Sequence, residues 1–329
     1  MVAHSNAPKA AGCITTWIAP VRTKLGPSAT PNVDGWELKV LQQETLEKFS
    51  GKFRRKKFGF FSKQVKQLVF LFWEDLNSTI AQFDAELKLT KEYFLYADYG
   101  FGVITDVKLT DKDFLTTGTE FSKTISNGDD GDSWYLNIHL GRKLIRSQNG
   151  KGLIRGFIGY QHWEEEIYDK GSSSEYILFG VDITPFDTTD PNQKGITWNY
   201  SFDSIKLGLD GEYAITNTIK VSSLVVYIPY AELDAKDFHH LREGPSSADA
   251  GSPFVTWTGS GAGFNLEGSI SYQFYPNWIF STGYRYWYLS SEGNDATFHF
   301  GDGSENSTSR EIDFDIKRYG ATLGITFTF

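Results

Sequence analysis

Two short acidic motifs hold the side chains of this sequence that are best suited to acid–base chemistry. Asp111 and Asp113 flank a lysine, and Asp237 and His239 flank a phenylalanine. Residues i and i+2 of a β-strand point to the same face, so a strand would place each pair side by side. Asp237 would then orient His239 and stabilise its charged form while His239 removes a proton from water. Asp111 and Asp113 would hold that water and share a proton, because adjacent carboxylates resist ionising together.

The spacing of these motifs leaves a second interpretation open. The Asp-x-Asp pattern recurs at positions 130/132 and 313/315, whereas Asp-x-His occurs once. Acidic residues in exposed loops produce such patterns easily, so a solvated acidic rim that responds to Ca²⁺ is the alternative. The sequence has no P-loop, no Rossmann glycine fingerprint, no Gly-x-Ser-x-Gly and no His-Glu-x-x-His.

The elements that carry the motifs are predicted to be β-strands. In the last segment, apolar residues at every second position from Tyr319 to Phe329 alternate with small or polar residues, and a helical period of 3.6 would scatter them. Similar alternation predicts that Lys206, Asp210 and Arg285 face a polar interior. The predicted strands cover 34–54, 62–90, 92–105, 131–146, 151–168, 201–215, 218–235, 256–274, 277–292 and 312–329.

The connections between these strands alternate in length. Short turns fall near 90–91, 147–150, 217–218 and 275–277, and long polar connections near 106–130, 169–200, 236–255 and 293–311. Such alternation is typical of outer-membrane proteins. The sequence therefore predicts an all-β fold, a ten-stranded antiparallel transmembrane β-barrel with an up-and-down meander over residues 34–329. Residues 1–33 are predicted to be a disordered leader, and both acidic motifs to lie at the extracellular end.

The composition agrees with a barrel and excludes other classes. Aromatic residues make up 16% of the 329 residues, the mean hydropathy is −0.35, and no apolar run reaches the length of a membrane-spanning helix. A net charge of −9 argues against a nucleic-acid partner. The single cysteine, Cys13, excludes an intrachain disulfide and a cysteine-based metal cluster. A soluble all-β protein is the alternative, because alternation by itself does not distinguish lipid from a second sheet.

Several segments resemble the omptin family of outer-membrane proteases across residues 48–329. The segments that carry the resemblance are Phe49–Lys52, Val65–Leu68, Gly100–Gly102 leading to Asp111–Phe114, Gly159–Gln161, Glu232–His240 and the final strand. The resemblance implies a ten-stranded barrel in the cell outer membrane.

The same resemblance implies an activity and a set of site residues. It implies an endopeptidase that uses activated water, with no covalent acyl-enzyme and no catalytic metal. Asp111, Asp113, Asp237 and His239 match the family's catalytic positions. The implied partners are outer-membrane lipid, lipopolysaccharide that activity requires, and a peptide or protein substrate.

Two positions depart from the family's pattern. Omptins select basic substrate residues with acidic side chains, and the matching substrate-binding positions here are Arg55 and Ala235. A cationic Arg55 repels a lysine or arginine of a substrate, so a changed specificity is expected. The alternative function is a non-catalytic outer-membrane surface protein or adhesin. A diffusion porin is disfavoured, because side chains largely fill the interior of so narrow a barrel.

Overall fold

The structure is a computed structural model that consists of β-strands and short connections. It describes residues 10–19, 38–40, 67–74, 77–105, 107–115, 120–128, 130–170, 175–178, 181–182, 194–240, 252–299, 305–309 and 312–328. The strands are β1 (Ala10–Ala19), β2 (Leu38–Val40), β3 (Gln67–Glu74), β4 (Asn77–Lys88), β5 (Tyr93–Thr105), β6 (Val107–Leu115), β7 (Glu120–Gly128), β8 (Asp130–Arg146), β9 (Gly152–Lys170), β10 (Glu175–Leu178), β11 (Val181–Asp182), β12 (Lys194–Ala214), β13 (Ile219–His239), β14 (Val255–Tyr275), β15 (Trp278–His299), β16 (Glu305–Ser309) and β17 (Ile312–Thr328).

All of the strand pairings are antiparallel, and the long strands pair in one continuous series. The series runs from β4 through β5, β8, β9, β12, β13, β14 and β15 to β17. β1 pairs with β17 on one side and with β4 on the other, so the series returns to its starting strand. The prediction of an all-β antiparallel sheet is confirmed.

Short turns connect the long strands at one end of the sheet. The β4–β5, β8–β9 and β12–β13 turns are each closed by backbone hydrogen bonds, such as that from Ser147 N to Gly152 O at 2.9 Å. Gly150 has a φ of 71°, a conformation that glycine adopts without steric cost. At the opposite end, β2, β3, β6, β7 and β10 extend the sheet beyond β17.

The outer surface near the short turns carries large exposed apolar side chains, which form what we call the apolar belt. Its members include Phe83 and Leu87 on β4, Leu140 on β8, Ile158 on β9, Ile205, Leu207 and Leu209 on β12, Val225 on β13, Leu266 and Ile270 on β14, and Leu323 and Ile325 on β17. Aromatic residues border the belt, with Tyr93, Tyr213 and Trp278 near the turns and Tyr99, Tyr160 and Tyr227 farther along the strands. Among the described residues there is no helix with the length and hydropathy needed to cross a bilayer.

Beyond the belt, the outward positions of the same strands become polar. They are occupied by His162, Glu164 and Glu166 on β9, Asn199, Ser201 and Asp203 on β12, and Glu232, Asp234 and Lys236 on β13. We call this part of the molecule the upper barrel.

Ion pairs and polar hydrogen bonds fill the interior behind the apolar belt. Arg155 Nη1 lies 2.6 Å from Glu86 Oε2 and also pairs with Asp210, while Lys206 Nζ donates to Asn137 Oδ1 at 2.8 Å. Lys206 is 3% exposed, so the predicted inward orientation of Lys206 is confirmed. The interior also holds the Arg285–Glu267 ion pair and, nearer the upper barrel, the buried Arg318–Glu165 ion pair.

Several strand boundaries differ from those predicted. Ala10–Ala19 forms β1, inside the segment predicted to be a disordered leader. Most of the predicted strand 34–54 lies outside the described residues, and the predicted strand 62–90 is divided into β3 and β4. The long connections predicted at 106–130 and 169–200 contain β6, β7, β10 and β11. β6 pairs with β7 and β10 with β11, while the β3–β6 and β7–β10 pairings join segments far apart in sequence, which local alternation does not reveal.

Close packing inside the barrel generates a testable prediction at Gly208. A β-carbon at Gly208 would overlap the ring of Phe157, its cross-strand neighbour, whereas Gly268 on the outer face has open space. We expect Gly208→Ala to lower the free energy of unfolding by about 1–3 kcal/mol through overpacking. Urea unfolding of the refolded protein measures this change. The matched control Gly268→Ala should unfold at the wild-type urea concentration, and equal effects of both substitutions would contradict the predicted packing.

Candidate active site

Asp237 and His239 form a hydrogen-bonded pair near the upper end of β13. Both side chains lie on the inner face of the strand, since the two residues are two positions apart. Asp237 Oδ2 lies 2.8 Å from His239 Nε2. The Asp237 side chain is 5% exposed and that of His239 is 15% exposed, so the pair is sheltered but the imidazole reaches solvent.

Neighbouring strands fix the position of this pair. Asp237 lies opposite Trp198 on β12, and His239 lies opposite Ile196. On the other side, Phe254 N donates to Asp237 O at 2.6 Å. The Phe254 ring packs edge-on against the His239 imidazole with the ring centroids 5.0 Å apart. Backbone pairing and an aromatic contact therefore orient the imidazole.

The arrangement provides the parts of a general base. Because Asp237 binds Nε2, Nδ1 is the ring nitrogen that remains for a proton from water, and the carboxylate stabilises the imidazolium that forms. Asp237 Oδ1 is also buried and has no hydrogen-bond partner within the described part of the chain. The described residues contain no group of three or more His, Cys, Asp and Glu side chains that could hold a metal ion.

Asp111 and Asp113 lie on β6, at the same end of the sheet as Asp237 and His239. The short turns join β4 to β5 and β12 to β13 at one end of the sheet. β5 and β13 therefore both end at the opposite end, where β6 follows β5 and where His239 is the last residue of β13. Asp111 pairs in register with Leu71 and Thr124, and Asp113 with Val69 and Ser122. The backbone of β6 therefore puts the two aspartates on one face of a strand. Their side chains lie outside the described part of the structure.

Of the two predicted substrate-binding residues, the structure describes one. Arg55 lies outside the described residues. Ala235 is 1% exposed and lies on the inner face of β13, two residues from Asp237 and opposite Tyr200 and Trp257. The interior around Ala235 is aromatic, with Trp198 4.6 Å from Trp257 and 5.9 Å from Phe314 between ring centroids.

Sequence reasoning missed one carboxylate near the pair. Asp169 is 4% exposed on the inner face of β9, and the charge of His239 acts on it. The residue lies at the start of a predicted connection, 169–200. Every second residue of β9 from Gln161 to Asp169 is buried. Extending this alternation by one more residue would have placed Asp169 on the inner face.

Comparisons with known proteins identify a family and one similar fold. The model of the Omptin family matches residues 61–329 of the chain. The chain is similar in structure to outer membrane protease OmpT from Escherichia coli, with a TM-score of 0.69, 14% sequence identity and 99% coverage of each chain. At that identity the similarity concerns the fold alone.

Two other structural matches are weak. The CymD monoaromatic hydrocarbon channel has a TM-score of 0.26 at 9% identity, with 99% of this chain and 89% of that chain covered. A FadL homologue from Pseudomonas aeruginosa has a TM-score of 0.28 at 7% identity, with coverages of 98% and 89%. Neither score supports an argument about the fold. No curated protein matches the chain.

His240, which follows the pair, generates a prediction about pH. Its backbone N–H donates to Gly195 O at 2.9 Å, and its Nε2 lies 2.8 Å from Thr197 Oγ1. Burial and the positive charge of Lys194 lower the pKa of His240 from 6.5. Protonation of His240 therefore weakens the hydrogen bonds that hold it to Gly195 and Thr197. These bonds are most stable above about pH 6.5 and weaken as the pH falls through the folded-state pKa of His240.

We expect the hydrogen-exchange protection factor of the His240 amide to fall between pH 7.5 and pH 5, after correction for the intrinsic exchange rate. In His240→Gln, which does not titrate, the protection factor of the same amide should stay constant over this range. An equal pH dependence in both proteins would contradict the prediction.

Proposed function

Because this chain belongs to the omptin family, we propose that it is an endopeptidase of the cell outer membrane whose catalytic water is activated by Asp111, Asp113, Asp237 and His239. The observation that carries the proposal is the Asp237–His239 hydrogen bond, 2.8 Å long, on the inner face at the end of the sheet where β6 brings the two other aspartates.

The apolar belt supports an outer-membrane location. Along β12 and the first residue of the turn after it, exposed apolar side chains of the belt and its border extend over ten residue steps, from Ile205 to Ile215. At roughly 3.3 Å per residue and a strand tilt near 40°, this length corresponds to a height of about 25 Å, which matches the apolar band of outer-membrane barrels. The aromatic borders match the aromatic girdles of such proteins. The upper barrel, with its charged outer surface, then projects from the membrane.

The closed series of pairings supports a ten-stranded transmembrane barrel. The strands of the series are β1, β4, β5, β8, β9, β12, β13, β14, β15 and β17. A strand that crosses lipid needs a hydrogen-bonded neighbour on both sides, since no water satisfies an exposed edge. Lipopolysaccharide is the proposed partner of the belt and is included in the assays below.

We propose the following steps for peptide hydrolysis. His239 Nδ1 takes a proton from the water as the water oxygen bonds to the scissile carbonyl carbon. Asp237 stabilises the imidazolium, and the Asp111/Asp113 pair holds the water and the developing tetrahedral species. The carbon–nitrogen bond then breaks, and the leaving amine takes the proton back from His239. No covalent enzyme intermediate is formed.

The environment of Ala235 supports a specificity for substrates other than basic peptides. Ala235 provides no charge, and the inner side chains near it, Trp198, Tyr200 and Trp257, are aromatic. Arg55, if it faces the groove as the family resemblance implies, disfavours a cationic substrate residue.

The first test of this proposal removes the Asp237–His239 pair. The refolded protein, with lipopolysaccharide present, is expected to cleave members of an unbiased peptide library. Asp237→Asn and His239→Gln should each lower kcat/KM by at least about 100-fold, because His239→Gln removes the general base and Asp237→Asn removes the carboxylate that orients the imidazole and stabilises its charged form. The control His162→Gln changes a histidine that contacts Asp203 on the outer surface, 2.9 Å away, and should keep wild-type kcat/KM. A library that stays uncut would favour a non-catalytic surface barrel instead.

The second test concerns specificity at Ala235. Wild type should cleave neutral peptides at least as fast as those with lysine or arginine at the cleaved bond. Ala235→Asp should raise the ratio of basic to neutral cleavage by about 10-fold, since an added carboxylate attracts a cationic side chain. Ala231 is equally buried on the same face of β13, four residues farther from the pair, so Ala231→Asp is the matched control and should leave the ratio unchanged. A ratio unaffected by Ala235→Asp would exclude Ala235 from the substrate groove.

A further inference from the structure

Asp169 is a buried carboxylate at the upper end of β9 that the proposed mechanism does not use. It is 4% exposed, although isolated carboxylates are rarely buried so completely. Among the described residues of β9, Asp169 is the last one buried on the inner face, and it lies above the Arg318–Glu165 pair. A buried charge requires partners, and hydrogen-bond donors to Asp169 lie on β12 and β7, while a charged neighbour lies on β13.

The first partner of Asp169 is the backbone of β12. Asp169 Oδ1 accepts a hydrogen bond from Ile196 N. The register between β9 and β12 shifts between Lys194 and Thr197, so this stretch of β12 is irregular and the carboxylate replaces a backbone acceptor. A β-carbon at Gly195 would lie 2.8 Å from Asp169 Oδ1, so glycine is required for this close approach. Ile196 is the residue directly opposite His239.

The second partner of Asp169 is β7. The Ser126 side chain, which is buried, hydrogen-bonds to the Asp169 carboxylate. Ser126 pairs in register with Leu109 on β6, two residues before Asp111. Asp169 therefore connects the hairpin that carries the aspartate pair with the strand that lies against His239.

His239 on β13 acts on Asp169 through its charge. Burial raises the pKa of Asp169 above its ordinary value, and the hydrogen bonds from Ile196 N and Ser126 and the charge of His239 offset only part of this rise. His239 lies opposite Ile196, whose N–H binds Asp169, so an ionised Asp169 carboxylate attracts the positive charge of a protonated imidazole. The strands that contact β9 are β6, β7, β8 and β12, and β13 lies on the other side of β12. Their charged or titratable residues at this end of the sheet include Lys108, Asp111, Lys112 and Asp113 on β6, Lys123 on β7, Asp130 and Asp132 on β8, Lys194 on β12, and Asp237, His239 and His240 on β13.

We propose that Asp169 is a positioning residue of this active site: it ties the β6–β7 hairpin to β12 opposite His239 and, as a second carboxylate beside Asp237, stabilises the imidazolium that forms during the reaction. The inference rests on the proposed peptidase function. Asp169 does not contact the reacting water in this assignment, so its effect is on kcat and on the protonation of His239 and not on substrate binding.

The test separates the charge of Asp169 from its hydrogen bonds. Asp169→Asn keeps an oxygen that accepts from Ile196 N and removes the charge, whereas Ser126→Ala keeps the charge and removes one hydrogen bond. Asp234→Asn is the control, because Asp234 is a carboxylate on the same strand as His239 that faces outward and is 55% exposed.

Two measurements are made on each variant. The first is the pH profile of kcat/KM on a peptide that wild type cleaves. In Asp169→Asn we expect the acidic limb to move to lower pH by about half a unit or more and kcat to fall by roughly 3- to 10-fold at unchanged KM. Ser126→Ala and Asp234→Asn should leave the position of the acidic limb unchanged. A structural role of Asp169 alone would lower activity without moving this limb.

The second measurement is an NMR titration of the His239 ring in the refolded barrel, with His239→Gln used to assign the signal. It needs no turnover, so it distinguishes failure of this inference from failure of the proposed function. The titration midpoint of His239 should fall in Asp169→Asn and stay at the wild-type value in Asp234→Asn. An unchanged midpoint in Asp169→Asn overturns the inference even if the protein is a peptidase. A lowered midpoint in a protein that cleaves no peptide supports the coupling and rejects the peptidase.

Discussion

The closed series of backbone hydrogen bonds is the constraint on which the rest of this structure depends. Each long strand has a neighbour on both sides, and β1 fills the place between β4 and β17. Because the sheet is closed, successive side chains of each strand must point alternately outward and inward. In the proposed membrane setting the outward set meets lipid, and every inward polar group must find a partner inside the barrel.

The interior satisfies this requirement in layers. Arg155, Lys206 and Arg285 are matched by acidic or amide side chains behind the apolar belt. The Arg318–Glu165 pair lies above them, and aromatic side chains centred on Trp198 fill the space beneath Asp237. Burying unpaired charges would cost several kcal/mol each, which explains why charges in the interior occur in pairs. The candidate active site therefore rests on an uncharged, closely packed floor.

The strands continue well beyond the apolar belt, and this extension assembles the candidate site. β13 carries Asp237 and His239 at its end, β9 carries Asp169, and the β6–β7 hairpin carries Asp111 and Asp113. Each strand is anchored in the barrel below, so the functional groups are held by rigid elements and not by free loops. Rigid placement matters for general-base catalysis, which depends on the alignment of the imidazole with the water.

The sequence by itself determined the all-β antiparallel class, the inward position of Lys206 and the adjacency of Asp237 and His239, because all three follow from a two-residue period within a single strand. The tertiary structure decided what depends on pairing between distant segments. It placed Ala10–Ala19 in the sheet, formed strands within the stretches predicted as connections, and joined Asp169 by a hydrogen bond to Ile196, the residue opposite His239. A local period specifies which face a side chain occupies, but only hydrogen bonding between strands far apart in the chain specifies which faces meet.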